Sequence, residues 1–194
     1  MRPVTVAAAI SLAALMPVVA ARAAETYTFD PQHTWVGFAI NHAGWAKALG
    51  KFGKATGQIV IDRDDLTKSN VTVEIDTASI DTGFADRDRD LQGPDFLNVV
   101  EFSTMTFTST AVELTGDTTA KVTGDLTLIG VTKPVTIEVV FNGEQPLPWD
   151  TKKLKAGFSA TGSFAPAEFG MAKVPAFGLG PDLELMLEVE AFKQ

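Results

Sequence analysis

The 194-residue chain contains no cysteine. That excludes disulfide bridges, thiolate metal ligands and thiol nucleophiles together. Histidine is scarce as well: His33 and His42 are the only two, nine positions apart. On one uninterrupted strand they face opposite sides, and no third ligand stands at a metal-like spacing from them. Structural or mouth-lining hydrogen bonding is the role expected of them, with no metal. A Gly-x-Ser-x-Gly elbow is absent, and so is a Gly-rich phosphate loop after a strand. After residue 23 no run comes near the ~20 apolar residues that a bilayer-crossing helix requires. A single tyrosine stands beside thirteen phenylalanines and three tryptophans. Few of these rings carry a polar handle, which favours buried apolar surface over hydrogen-bonded recognition.

What is present begins with the N-terminal stretch. Arg2 gives a positive start, Val4 to Ala21 is apolar and Ala-rich, and Ala21-Arg22-Ala23 offers small residues at both positions of an A-x-A cleavage site. The pattern predicts a secretory signal peptide over residues 1–23, a single domain over 24–194 and export to the periplasm. Removing Arg2 and Arg22 leaves 16 − 2 = 14 Lys+Arg against 24 Asp+Glu, a net charge of −10. An acidic surface repels phosphate backbones, so nucleic acid is excluded as a partner.

The domain itself reads as strands. Val122, Gly124, Leu126 and Leu128 alternate with Thr123, Asp125 and Thr127; Val135, Ile137, Val139 and Phe141 resume the alternation after Gly130-Val131-Thr132-Lys133-Pro134. This predicts a long antiparallel hairpin with Pro134 at the start of its second strand. Leu183, Leu185, Leu187 and Val189 share its register and are expected to face the same cavity. Further alternating stretches lie at 27–29, 35–41, 52–62, 71–76, 102–114 and 155–164, while His42 to Gly50 reads as one or two helical turns and Thr77 to Val100 as one or two short helices. About eight to ten strands without βαβ alternation predict an all-β fold, an antiparallel barrel or a sandwich. Small residues at inward positions (Gly124, Ala156, Ala160, Gly162) leave room either for a large neighbour or for a ligand.

Asp86, Asp88 and Asp90 are spaced like the start of a calcium loop. Leu91 occupies the position that needs Gly and Leu97 the position that needs a bidentate Glu, so calcium is not expected. On a helix, Asp86–Arg89 and Arg87–Asp90 would pair at i,i+3 for a few tenths of a kcal/mol each. Arg87 or Arg89 near a cavity mouth is also a candidate holder of an anionic or carbonyl head group. Trp45, Phe84, Phe96, Phe169 and Phe177 fall in segments read as loops, where they either plug the barrel ends or line an entrance.

Several separated motifs, in order, carry a resemblance. They are Phe29-Asp-Pro-Gln-His-Thr-Trp-Val-Gly-Phe38 with His42, Gly50-Lys-Phe-Gly53 with Gly57, and Ser79-Ile-Asp-Thr-Gly83. Arg87-Asp88 with Leu91 and Asp95-Phe96 follow, then Gly124-Asp-Leu-Thr-Leu-Ile-Gly-Val-Thr-Lys-Pro134. Over nearly the whole predicted domain the chain resembles the YceI-like, polyisoprenoid-binding proteins. The resemblance implies a lipocalin-like barrel of about eight strands with one short helical insertion. It also implies an apolar cavity holding a long isoprenoid lipid, such as a ubiquinone or polyprenyl chain, with no cofactor required and no catalysis. The expected cavity set is Phe38, Ile40, Ile75, Phe107, Leu126, Ile137, Val139, Phe158, Ala160, Leu185 and Leu187. The expected mouth set is His33, His42, Trp45, Phe84, Arg87, Phe96 and Phe169. Transient contact with a membrane or a membrane redox protein fits this role, as does a homodimer. Asp90, where family members often carry His, and Ala165-Pro166 depart from the family pattern near the expected head group. Two other readings stand beside the carrier: a packed barrel serving stress response or interaction, and an enzyme at the mouth with His33 or His42 as base.

Overall fold

Polar–apolar alternation gives strands almost everywhere that it was read, in a computed structural model that describes residues 23–194. The predicted signal segment, apart from Ala23, lies outside the described residues. The strands are β1 (Glu25–His42), β2 (Ala46–Phe52), β3 (Ala55–Ile61), β4 (Asn70–Asp76), β5 (Ile80–Asp81), β6 (Thr104–Leu114), β7 (Thr119–Leu128), β8 (Val131–Leu147), β9 (Asp150–Phe164) and β10 (Leu179–Lys193), with one helix, α1 (Ala85–Gln92). All pairings are antiparallel. The order β10-β9-β8-β7-β6-β4-β3-β1 closes through a β1–β10 pairing, so eight strands form a ring while β2 and β5 extend it beside the second half of β1. Closure leaves the ring no unpaired edge, and each strand has one inward and one outward face.

The two ends of the barrel differ. Glu25, Ile61, Asn70, Leu114 and Lys193 lie at the end that holds both chain termini of the barrel, here the terminal end. The other, the helix end, is covered by α1 and by short 3-10 turns at Pro166–Phe169 and Val174–Phe177. Most of the fully buried core sits under that cover: Phe38, Ile75, Leu97, Leu128, Phe169 and Val174 among others. A smaller cluster of Tyr27, Phe29, Ile61, Ala156 and Ala191 packs at the terminal end.

Turn chemistry corrects two expectations. The β7–β8 turn is only Ile129 and Gly130, with φ of 44° and 75°. Two residues of positive φ match the right-handed twist of a tight hairpin. β8 therefore begins at Val131, and Pro134 lies within it opposite Asp125. The β8–β9 ladder begins only at Ile137, so Pro134 has a neighbour on one side alone, where a missing donor is tolerated. Likewise His42 to Gly50 is no helix. Ala43 and Gly44 take φ of 52° and 77°, Trp45 donates its N–H to the His42 carbonyl at 3.0 Å, and the chain returns as β2.

The room beside the small inward residues is partly taken by neighbours. A Cβ on Gly124 would lie 2.4 Å from the Phe107 ring, and one on Gly162 would lie 2.9 Å from Ile137 Cγ2. Phe29 covers Gly57 and Phe38 covers Gly50 in the same manner. Ala156 is fully buried in the terminal cluster. Among the small residues singled out in the sequence, Ala160 opens onto free space.

Candidate functional site

Residues that face inward in a solid core keep almost no exposure. Here Ile137, Val139, Phe158, Ala160, Leu185 and Leu187 all point inward yet stay half-buried, because a cavity of about 530 Å³ runs along the barrel. That volume falls within the roughly 300–1,000 Å³ typical of small-molecule sites. All eleven residues of the expected cavity set line it. So do Leu183, Val189, Val135 and Phe141, which places the last strand and the central hairpin on one shared interior face. Its titratable lining groups are three: Arg63, Arg87 and Asp117.

These charges sit at the ends. At the helix end, the Arg87 Nε–H donates to Thr82 Oγ1 and an Nη2–H to the Thr82 carbonyl, both at 2.8 Å. Asp88 holds Thr82 in turn, accepting from its N–H at 2.8 Å and its hydroxyl at 2.5 Å. Arg87 has no carboxylate partner in direct contact among the described residues, so the expected Arg87–Asp90 pair does not form; Arg89–Asp86 does, at 3.1 Å and exposed. The Thr82 clamp draws Arg87 back across the turn and away from Asp90. Arg87 therefore lines the cavity end without a direct ion pair among the described residues, the Asp88 carboxylate reaching it only through Thr82.

Arg63 at the terminal end is neutralised. Its Nε–H donates to Glu25 at 2.7 Å, and its Nη2 to Glu144 at 2.7 Å and to the Tyr27 hydroxyl at 2.8 Å. Tyr27 also donates to Glu144, and Lys193 binds the second Glu25 oxygen at 2.8 Å. The Lys193 and Arg63 hydrogen bonds hold the Glu25 carboxyl at about 2, against an ordinary 4.5. Burial and Glu144 push the Tyr27 hydroxyl above its usual range. Two cations and two carboxylates cancel. Sequence reasoning missed this cluster because its members come from β1, the β3–β4 loop, β8 and β10, which only ring closure brings together. The lone tyrosine was the one local signal.

Of the mouth set, Arg87 and Phe96 line the cavity and the other five do not. His42 and Trp45 are exposed at the β1–β2 turn, with ring centroids 5.8 Å apart, and Phe84 is exposed just before α1. Phe169 is buried as a plug against Phe164, centroids 5.2 Å apart. His33 takes the structural role and not the mouth: it sits on a bulge of β1 between Phe29 and Thr34, away from the cavity, with Nδ1 2.7 Å from Asp30. There Asp30, His33 and Glu190 converge in a metal-like cluster. Lys155 Nζ fills the position a cation would take, 2.6 Å from Asp30 and 2.5 Å from Glu190. Burial works against the Asp30 carboxylate, but the Lys155 and His33 hydrogen bonds prevail and hold it at about 2.

A closed eight-strand barrel with an axial apolar cavity is thus in place, and the comparisons agree with it. The family described as YceI-like domain matches residues 27–191. The chain belongs to the YceI-like family. A UPF0312 protein of Ectopseudomonas mendocina is 41% identical over 176 residues, covering 88% of this chain and 89% of that one. The crystal structure of Burkholderia cenocepacia BcnA superposes with a TM-score of 0.73 at 19% identity, over 84% of this chain and 99% of that one. A polyisoprenoid binding domain from Saccharophagus degradans, implicated in plant cell wall breakdown, has the same fold with a TM-score of 0.63 at 14% identity, over 85% and 97%.

Proposed function

We propose that this YceI-like protein is an exported carrier that holds a long isoprenoid lipid, a quinone tail or polyprenyl chain, in the barrel. It is a binding protein and not an enzyme in this reading. The observation that carries it is the cavity itself: about 530 Å³, apolar along its length and charged only at its ends. Transfer of hydrocarbon from water contributes about 0.8 kcal/mol per CH₂, so a many-carbon chain binds there without specific polar contacts. Polar groups then choose the head and its direction. Arg87, without a direct ion pair at the helix end, favours a carbonyl or anionic head there, with the tail running toward Leu185, Val139 and Phe158. That the Saccharophagus degradans domain of the same fold is described as polyisoprenoid binding supports the lipid class. Neither histidine lines the cavity, and its one carboxylate, Asp117, lies in an exposed loop, which favours binding over acid–base chemistry. Export rests on the N-terminal pattern of Arg2, the apolar Val4–Ala21 run and Ala21-Arg22-Ala23.

Native mass spectrometry of protein purified from its own host tests the carrier. A co-purified mass in the isoprenoid range is expected, followed by saturable rebinding of a ubiquinone or prenol after delipidation. A barrel that emerges empty and takes up neither would sink the reading. Cell fractionation with detection of the processed chain tests export.

A further inference from the structure

The carrier reading leaves open how a chain that avoids water reaches the cavity, and the helix end bears on this. Trp45 projects from the β1–β2 turn at 82% exposure, and Phe177 from the Val174–Phe177 turn at 52%. The two segments are tied together, since Ala43 donates its N–H to the Gly178 carbonyl at 2.6 Å. Phe177 in turn lies against Phe96, ring centroids 5.2 Å apart, and Phe96 lines the cavity. Leu49, 57% exposed on β2, lines it as well. An exposed aromatic rim is therefore continuous with the cavity wall.

We propose that this rim docks on a lipid bilayer surface, with Trp45 and Phe177 seated at headgroup level so that lipid passes between bilayer and cavity. The proposal rests on the carrier reading and adds to it the partner and the face. Two physical arguments choose a bilayer. Each isoprene unit lowers the concentration of a chain free in water by roughly a hundredfold or more, so transfer needs a mouth that touches the membrane. Trp and Phe are residues that settle at a membrane interface. Charge selects the end. The lining charge at this mouth is Arg87, a cation with no direct ion pair among the described residues that is free to meet lipid phosphates, whereas the terminal mouth presents Asp117 beside a neutralised Arg63. Trp149 is 80% exposed at the terminal end, on the β8–β9 turn, and serves as the internal control.

The test uses the chain from Ala24 onward, since the barrel runs from Glu25 to Lys193 and closes on itself. Vesicles of phosphatidylethanolamine and phosphatidylglycerol, free of isoprenoid, report docking whether or not the cavity takes such a lipid. With Trp35 and Trp149 changed to Phe, fluorescence from Trp45 is expected to be quenched by brominated lipids. Trp45→Ser with Phe177→Ser is expected to weaken vesicle co-sedimentation by about tenfold or more. Trp149→Ser is expected to leave it unchanged, and all variants to keep prenol binding in detergent. The proposal is overturned if the unaltered protein ignores vesicles, or if Trp149→Ser and not the double variant abolishes binding. It is also overturned if the double variant dissolves a protein dimer while vesicle binding stays the same.

Discussion

Ala160→Phe separates a ligand channel from a packed core at one position. Ala160 pairs with Val139 on β8 and with Leu187 on β10, and its side chain faces the cavity with those two. The substitution adds ~100 Å³ of side chain, about a fifth of the 530 Å³ available. In a filled interior such overpacking costs about 1–3 kcal/mol. For a domain of this size each kcal/mol shifts the melting temperature by about 2–4 °C, so a packed site predicts a drop of roughly 2–12 °C. The new ring here has free space to enter. The delipidated variant is therefore expected to melt at or above the temperature of the unaltered protein, and prenol or quinone affinity to fall by an order of magnitude or more because the bore is blocked. Thermal unfolding by circular dichroism and a fluorescence titration of the same preparations give both numbers. Early melting with normal lipid binding would refute the reasoning at this position.

Gly124→Ala is the converse case. Its Cβ would sit 2.4 Å from the Phe107 ring and 2.6 Å from the Thr108 carbonyl oxygen, so the Phe107 ring and the β6–β7 ladder must both shift. A loss of about 1–3 kcal/mol in a urea titration is expected; an unchanged midpoint would show that Phe107 moves freely. Acid should weaken the barrel in a defined window. Glu25 and Asp30 are both held at about 2, below their ordinary 4.5 and 3.8, so the stability they contribute is full above those ordinary values and is lost as pH falls toward 2. Glu25→Gln should flatten the decline between about pH 4.5 and 2 in denaturant titrations, and an equally steep decline would place the acid-sensitive group elsewhere. Lys155→Met leaves the Asp30 carboxylate buried without its ammonium and should destabilise by up to about 3–5 kcal/mol at neutral pH. A variant as stable as the parent would mean that His33 suffices as its partner.

Alternation carried most of the fold because a strand's side-chain period of two is a local property. Leu185, Leu187, Ile137 and Val139 could be assigned to one interior without knowing how the strands pair, since every inward face of a closed barrel meets the same space. Turn geometry was less legible. His42 to Gly50 has helix-forming composition, and only the positive φ of Ala43 and Gly44 shows that the chain reverses there. Small residues were ambiguous for a physical reason: Gly124 makes room for Phe107 and Ala160 for the cavity, and the two look identical in sequence. The end clusters were invisible because Glu25, Arg63, Glu144 and Lys193 are brought together by closure alone. His33 was misassigned because the β1 bulge turns it toward Lys155 and away from the mouth.

The cavity has an energetic consequence for the state in which the protein exists. A void sealed in a core costs about 24 cal/mol per Å³, which for 530 Å³ sets a ceiling of about 13 kcal/mol on a bore that opens at its ends. That is comparable with the whole stability of an ordinary domain, about 5–15 kcal/mol. Water filling such an apolar bore recovers little, because its lining offers few hydrogen-bond partners. The closed ladder of eight strands and the cores at both ends must carry the empty barrel, and any chain that fills the bore returns contacts along its length. Loaded protein is therefore expected to unfold at a melting temperature at least about 5 °C above the delipidated form, the shift growing with isoprenoid length until the bore is full. Matched calorimetric scans of the protein as purified, after solvent extraction and after reloading with prenols of increasing length measure it. Identical transitions in all three states would show that the bore is not the site a lipid occupies.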